Sequence, residues 1–199
     1  MKSIYIYGAS GHGLVVADVA RACGYNDIIF IDDGENHYSV FEDIKDNNHI
    51  PVALGIGSNN IRAKLFEKVK INGFKIVTLI HPSCIVSSNI SIDEGTVIMP
   101  NVVVNANASI GRGAILNTSC VIEHECRIDD FVHISPNVAL AGNAKIRQSS
   151  HIGIQSCVIQ GLTIGENCII GAGSVVTKNI KDDVKAYGNP CKEIEDINE

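Results

Sequence analysis

Two adjacent side chains, His124 and Glu125, form the pair in this sequence best suited to acid–base chemistry. Imidazole titrates near neutrality, and a neighbouring carboxylate can fix its tautomer and stabilise the imidazolium, which is what a general base requires. The surrounding run, Asn117-Thr118-Ser119-Cys120-Val121-Ile122-Glu123-His124-Glu125-Cys126, is mostly small or aliphatic. A solvated surface histidine is the competing reading. A second cluster lies near the start, where Gly8-Ala9-Ser10-Gly11-His12-Gly13 separates Ile4-Tyr5-Ile6-Tyr7 from an apolar pattern over Leu14 to Ala22. The order strand, glycine turn, helix can present successive backbone N–H groups to a phosphate without a basic side chain. The spacing Gly-x-x-Gly-x-Gly departs from the dinucleotide fingerprint, so a tight turn without a ligand competes. Asp32 stands about twenty residues downstream, where an acid can accept a ribose hydroxyl.

The element that must position His124 is written in a ladder. Every sixth residue from Val86 to Val176 is Ile, Leu or Val without a break, and His124 follows the rung Ile122 by two. A period of six fits neither a free helix nor a lone strand, whereas a triangular parallel β-helix brings every sixth residue to the same inner wall. Six residues at about 3.3 Å make a face of roughly 20 Å. A second, mostly small register four residues after each rung holds Thr96, Ala108, Ala114, Cys120, Cys126, Ala144, Ser150 and Cys168. This stretch resembles the left-handed type.

Counting in that register places the other histidines. His133 lies nine residues after His124, half of an 18-residue coil. In one chain the two sit on separate parts of the wall and can meet only across a subunit interface. A three-fold oligomer would bring them together and bury outward-facing Val103, Phe131 and Ile154. His151 is predicted to stack one coil from His133, about 4.8 Å away.

The fold expected is mixed: a small α/β Rossmann-like unit over 1–80, a left-handed parallel β-helix over 81–180 and a C-terminal tail over 181–199, whose charged end from Lys192 to Glu199 is expected to be solvated. Strands are predicted at Ile4–Tyr7, Ile28–Ile31, Val52–Ile56 and Lys75–Ile80, with a helix over Asn59–Val69. Ligands of such a sheet bind beyond the carboxyl ends of its strands, where the glycine turn and Asp32-Asp33 fall. Among 199 residues, a net charge of −6 argues against nucleic acid as a partner. No apolar run approaches the length of a membrane span, and the N-terminus enters a strand at once, so cytoplasmic location without a signal peptide is expected. Of seven cysteines, Cys84, Cys120, Cys126 and Cys168 fall in the small register and read as packing residues; without CxxC spacing, no metal site is expected.

At these residues the chain resembles the bacterial nucleotide-sugar N-acetyltransferases of the left-handed β-helix superfamily that acetylate UDP-4-amino-4,6-dideoxy sugars in bacillosamine synthesis. It is similar also to the related sialic acid O-acetyltransferases. The resemblance runs over Tyr5 to Gly13, Asp32-Asp33, Gly57 to Arg62, Ile115 to Cys126, His133, Ala141-Gly142-Asn143 and Gly188-Asn189-Pro190. It implies a homotrimer that uses acetyl-CoA and no metal. Gly8, Ala9, Ser10, Gly11, His12, Gly13, Asp32 and Asp33 would hold the UDP part, with Gly57, Asn59 and Arg62 nearby and Asn117 and Glu123 as secondary substrate contacts. His124 would be the general base and Glu125 its orienting partner. His133 of a neighbouring chain would contact acetyl-CoA, Gly142 would offer its N–H to the thioester oxygen, and Ile154, Gly171, Ala172 and Gly173 would border the coenzyme. Two departures stand out: Ser58 where Asn is expected, and Cys191 where Ala is usual.

Two other classes compete. A β-helical carbonic anhydrase needs paired histidines five apart, whereas the repeat holds His81, His124, His133 and His151 at separations of 43, 9 and 18. A non-catalytic scaffold would merely trimerise and bind nucleotide. The sugar, and the choice among UDP, GDP and CMP, stay open.

Overall fold

The computed structural model describes residues 2–197. From Leu79 onward the chain winds as a left-handed parallel β-helix of about six coils. Each coil gives one two-residue strand to each of three sheets, and partners lie eighteen residues apart, as in Ile115 with His133, Val121 with Ala139 and Arg127 with Lys145. The rungs from Ile98 to Val176 form one buried column, with the small register (Ala108, Cys120, Cys126, Ala144, Cys168) filling the space between them. The cysteines in that column are free, and burial pushes the Cys120 thiol up.

A third register makes the corners. The third residue after each rung, from Gly95 to Gly173, has a left-handed backbone, and Asn or Gly occupies most of these places. Left-handed φ costs other residues roughly 1–2 kcal/mol, so Asn and Gly are the low-strain choices. Glu125 (φ 60°) and Phe131 (φ 57°) are the two most conspicuous departures. Both prove to be committed elsewhere.

The three faces differ in what covers them. The first, with strands Val97–Ile98, Ile115–Leu116, His133–Ile134 and His151–Ile152, carries the N-terminal unit and is called the docked face. The second presents Ile85, Val103, Val121, Ala139, Cys157 and Val175 outward, none of them buried, and is called the bare face. The third shows Ser91, Ser109, Arg127, Lys145 and Thr163, as a charged, solvated face does.

The N-terminal unit is a parallel sheet with β1 (Ser3–Tyr7) between β2 (Asp27–Ile31) and β3 (Val52–Leu54), flanked by α1 (His12–Ala22) and α2 (Asn59–Ile71). A 3-10 helix over Phe41–Asn47 was not anticipated. The expected fourth strand, Lys75–Ile80, divides: Ile76 bridges Val52, while Leu79–Ile80 pairs with Val97–Ile98 and begins the β-helix. Val77, Leu79, Val97 and Met99 pack with Ile4, Val16 and Ala17, so the two units share a core.

Two further expectations are corrected. Phe131 is only 5% exposed because its ring meets Phe66 of α2 edge-on at 5.4 Å, so its own chain covers it. The tail's charged end is solvated from Lys192 to Ile197 but forms a strand, since Val184–Gly188 joins the docked sheet and Cys191–Asp196 pairs back onto it; Asn198 and Glu199 lie outside the described residues.

Candidate active site

His124 sits on the edge where the bare face turns into the charged face. Its Nδ1 lies 3.1 Å from Oε2 of Glu125, and both side chains are 60% exposed. The left-handed backbone of Glu125 turns its carboxylate back to the neighbouring ring, so the strained corner and the His–Glu pair are one feature. Glu123 accepts the His124 N–H at 3.3 Å. One coil along, Gly142 lies beneath the imidazole: a Cβ there would come within 2.5 Å of His124 Cε1 and Nε2. Glycine therefore makes room for the ring.

The N–H at this corner position is unused by the coil-to-coil ladder. At some corners a side chain takes it, as Asp130 does for Arg112 and Asn117 for Thr118. That of Gly142 has no acceptor among the described residues. A free N–H, a carboxylate-oriented imidazole and open solvent thus meet at one edge, as acyl transfer requires. Gly142→Ala is expected to displace the ring with little loss of stability and to cut turnover by about 10²-fold, the scale of an ångström misplacement; steady-state rates and melting curves check both parts.

The other predicted coenzyme residues occupy a different edge. Ile154, 45% exposed, and Gly171-Ala172-Gly173 lie between the docked and bare faces, with the Gly173 N–H donating to the Ile154 carbonyl at 2.8 Å. Gly171 is required there by Tyr187, whose Cβ would sit 2.7 Å from an added Cβ. Both edges border the bare face.

The glycine turn is built by contacts within its own chain. A Cβ on Gly13 would lie 2.0 Å from the Gly8 carbonyl, so only glycine fits. Asp32 accepts the Ala9 N–H at 2.8 Å and the Gly34 N–H at 2.9 Å, and these bonds hold its pKa low. The N–H groups of Ser10, Gly11 and His12 keep no acceptor among the described residues. Asp33 accepts from the Phe41 N–H (2.9 Å), Lys68 (2.6 Å) and the Tyr7 hydroxyl; burial pushes its pKa up, but these partners hold it low. Asp32 thus shapes the turn and Asp33 anchors α2.

Arg62 requires correction. It is 1% exposed, and all five N–H donors are taken: Nε by Gly113 O (2.7 Å), Nη1 by Ile56 O and Gly57 O (3.1 Å each), and Nη2 by Asn59 Oδ1 and Phe131 O (2.8 Å each). With no donor left, it locks the Gly57 loop to the β-helix instead of touching substrate. Asn59 belongs to the same lock, since its Nδ2 donates to Ser149 O at 2.8 Å.

His133 also lies in this seam. It is 8% exposed, stacked on His151 with centroids 4.6 Å apart and planes within 7°, and 6.0 Å from the His12 ring. The stacking matches the coil spacing predicted above. Its own N-terminal unit covers most of it, and its Nε2 lies 3.2 Å from Asn117 Nδ2. Burial, then neighbouring positive charge, lowers His133 to about 3 and His12 to about 4, and burial lowers His151. Unfolded imidazoles bind protons below about pH 6.5 while these stay neutral in the fold, so stability rises with pH between the two values. Melting temperatures are therefore expected to fall from pH 6.5 to 5, above the ordinary carboxylate range, and a flat profile there would contradict it.

Among the described residues no group of three or more His, Cys, Asp or Glu is placed to hold a metal ion, and no helix is long and apolar enough to cross a membrane.

Comparison with known proteins bears on these features. Residues 3–69 match the family described as the PglD N-terminal domain, and residues 143–178 match the bacterial transferase hexapeptide, six repeats. Over 114 residues the chain is 35% identical to the UDP-N-acetylbacillosamine N-acetyltransferase of Bacillus subtilis; the match spans 50% of this chain and about half, 52%, of that protein. A histidine-to-alanine mutant of GDP-perosamine N-acetyltransferase from Caulobacter crescentus, in complex with CoA and GDP-perosamine, has a TM-score of 0.93 at 33% identity, covering 98% of this chain and 97% of that one. The acetyltransferase domain of PglB from Neisseria gonorrhoeae, in complex with acetyl coenzyme A, has a TM-score of 0.91 at 36% identity, covering 97% and 99%.

Proposed function

Because the chain belongs to the nucleotide-sugar N-acetyltransferases of the hexapeptide-repeat superfamily, we propose that it transfers acetyl from acetyl-CoA to the 4-amino group of a UDP-linked 4-amino-4,6-dideoxy sugar. The observation that carries the reading is the His124 imidazole, paired with Glu125 and seated over Gly142.

The amine attacks the thioester carbonyl directly. As the C–N bond forms, His124 Nε2 takes the ammonium proton, Glu125 stabilises the imidazolium through Nδ1–H, and the Gly142 N–H donates to the oxygen that gains charge. Collapse expels CoA as thiolate, which the imidazolium can reprotonate. One oxyanion donor is worth about 2.7–4 kcal/mol. Neither a covalent acetyl-enzyme nor a cysteine enters the scheme.

Topology supports assembly as a homotrimer. The N-terminal unit covers the docked face, and His124 lies on the edge opposite it, so the nucleotide turn and the base cannot meet within one chain. The bare face, with Val103, Val121, Cys157 and Val175 only partly buried, is the apolar surface a neighbour would cover. The GDP-linked sugar is the second reading, favoured by the match over nearly the whole chain to the GDP-perosamine enzyme. Release of CoA thiol, with UDP- and GDP-linked 4-amino sugars offered separately, decides between them; no release with either would overturn the proposal.

A further inference from the structure

Two carboxylates flank the base, and only one of them acts on its ring. Glu125 orients the imidazole through Nδ1. Glu123 lies on the other side, where its Oε2 accepts the His124 backbone N–H at 3.3 Å and its Oε1 has no partner among the described residues. The other half-buried acids at the β-helix corners are held: Glu94 by Lys70 at 2.8 Å, Asp129 by Arg127 at 2.7 Å, Asp130 by Arg112 at 2.8 Å, Glu166 by Arg147 at 2.7 Å and Asp183 by the Asn167 amide at 3.0 Å. Glu123 is half-buried too, yet it forms no salt bridge among the described residues. The neighbouring coils supply no counter-charge, since Asn105-Ala106-Asn107 lies one coil before it and Ala141-Gly142-Asn143 one coil after. Arg127 and Lys145 stand on the charged face, and neither pairs with Glu123 or Glu125.

This arrangement is costly for acetyl transfer to a neutral acceptor. Attack on the thioester places negative charge on the carbonyl oxygen, and two carboxylates nearby raise the energy of that state. A cation at the same place removes the cost. An amine on a ring carbon resembles an α-amino group, with a pKa of about 8, and arrives at neutral pH mostly as ammonium. Its nitrogen is positive a second time, after the C–N bond forms and before His124 takes the proton. A hydroxyl is neutral when it binds and loses its proton as it attacks, so it offers the carboxylates nothing.

We infer that Glu123 makes this site selective for an amine over a hydroxyl, its free Oε1 accepting an N–H of the cationic acceptor nitrogen. The inference rests on the N-acetylation reading above and deepens it. The sugar enters as ammonium with one N–H on Glu123. One proton leaves to solvent, the freed lone pair forms the C–N bond, and His124 takes a second proton and returns it to the CoA thiolate. Glu123 itself takes no proton; it accepts hydrogen bonds from nitrogen in both of its charged states.

Glu123→Gln tests this, because the amide keeps an oxygen for the His124 N–H and removes only the charge. The probes are the nucleotide-linked 4-amino sugar that the wild type acetylates and the sugar of the same nucleotide and ring with a 4-hydroxyl. With CoA present, titration calorimetry is expected to show the amino sugar binding about 10- to 100-fold more weakly to Glu123→Gln, the scale of a charged hydrogen bond. The hydroxy sugar should bind equally to both proteins, and kcat/KM for the amine should fall at least as far as its affinity. Equal weakening of both sugars, or unchanged binding of the amino sugar, would overturn the inference and leave N-acetylation standing. A wild type that acetylates neither UDP- nor GDP-linked amino sugars would overturn the reading beneath it.

Discussion

Replacing His124 by alanine is expected to leave a folded protein whose acetyl transfer is about 10²–10⁴-fold slower, the range supplied by a positioned general base. The ring is 60% exposed on a corner and contributes nothing to the buried column, so melting should stay within a degree or two of the parent. The loss should fall on kcat, because the nucleotide turn lies across the prism in the same chain. Glu125→Gln should cost less, since it keeps a hydrogen-bonding group at the ring but removes the charge that stabilises the imidazolium. Asn in place of Glu125 would relax the corner backbone, so a variant more stable yet slower than the parent is the expected signature of strain kept for function. Wild-type turnover in His124→Ala would leave Glu125 without a purpose at its strained position.

Arg62→Ala has the largest expected effect on stability. It strands four backbone carbonyls and the Asn59 amide oxygen in the seam between the two units. Buried groups that lose a charged partner cost about 3–5 kcal/mol in total. For a chain of this size that lowers the melting temperature by roughly 10 °C. Arg62→Lys should recover little, because one ammonium cannot reach five acceptors set in a fork. Denaturant unfolding is the measurement, and a change below about 1 kcal/mol would mean the seam closes without its lock.

The β-helix was legible because its rungs repeat at a fixed spacing: Ile122 and Ile128 each fill the place of their neighbours, so periodicity alone predicts the wall. The spacing also foretold the stack of His133 on His151. What the ladder could not reveal was which face the first eighty residues would cover. That choice depends on Phe66 meeting Phe131 and on Arg62 finding carbonyls at Gly113 and Phe131, contacts between positions with no periodic relation. Hence Arg62 read as a ligand residue when it is a lock, and Phe131 as a residue for a neighbouring subunit to bury when its own chain covers it. Asn or Gly recurs three residues after most rungs, and against that pattern Glu125 and Phe131 stand out as the places where the corner serves another purpose. Leu79–Ile80 likewise could not be assigned from local pattern, since two aliphatics pair equally well with a Rossmann-like sheet or a β-helix coil.

The proposed active site forms only where the His124 edge of one chain meets the N-terminal unit of another. Val103→Arg and Val175→Arg place charge on the bare face, one coil before and three coils after the Val121 strand, and touch neither His124 nor the glycine turn. Sedimentation equilibrium read alongside CoA-thiol release tests the claim directly. A folded monomer without acetyl transfer is expected, whereas a monomer that turns over at the wild-type rate would show that one chain holds a complete site.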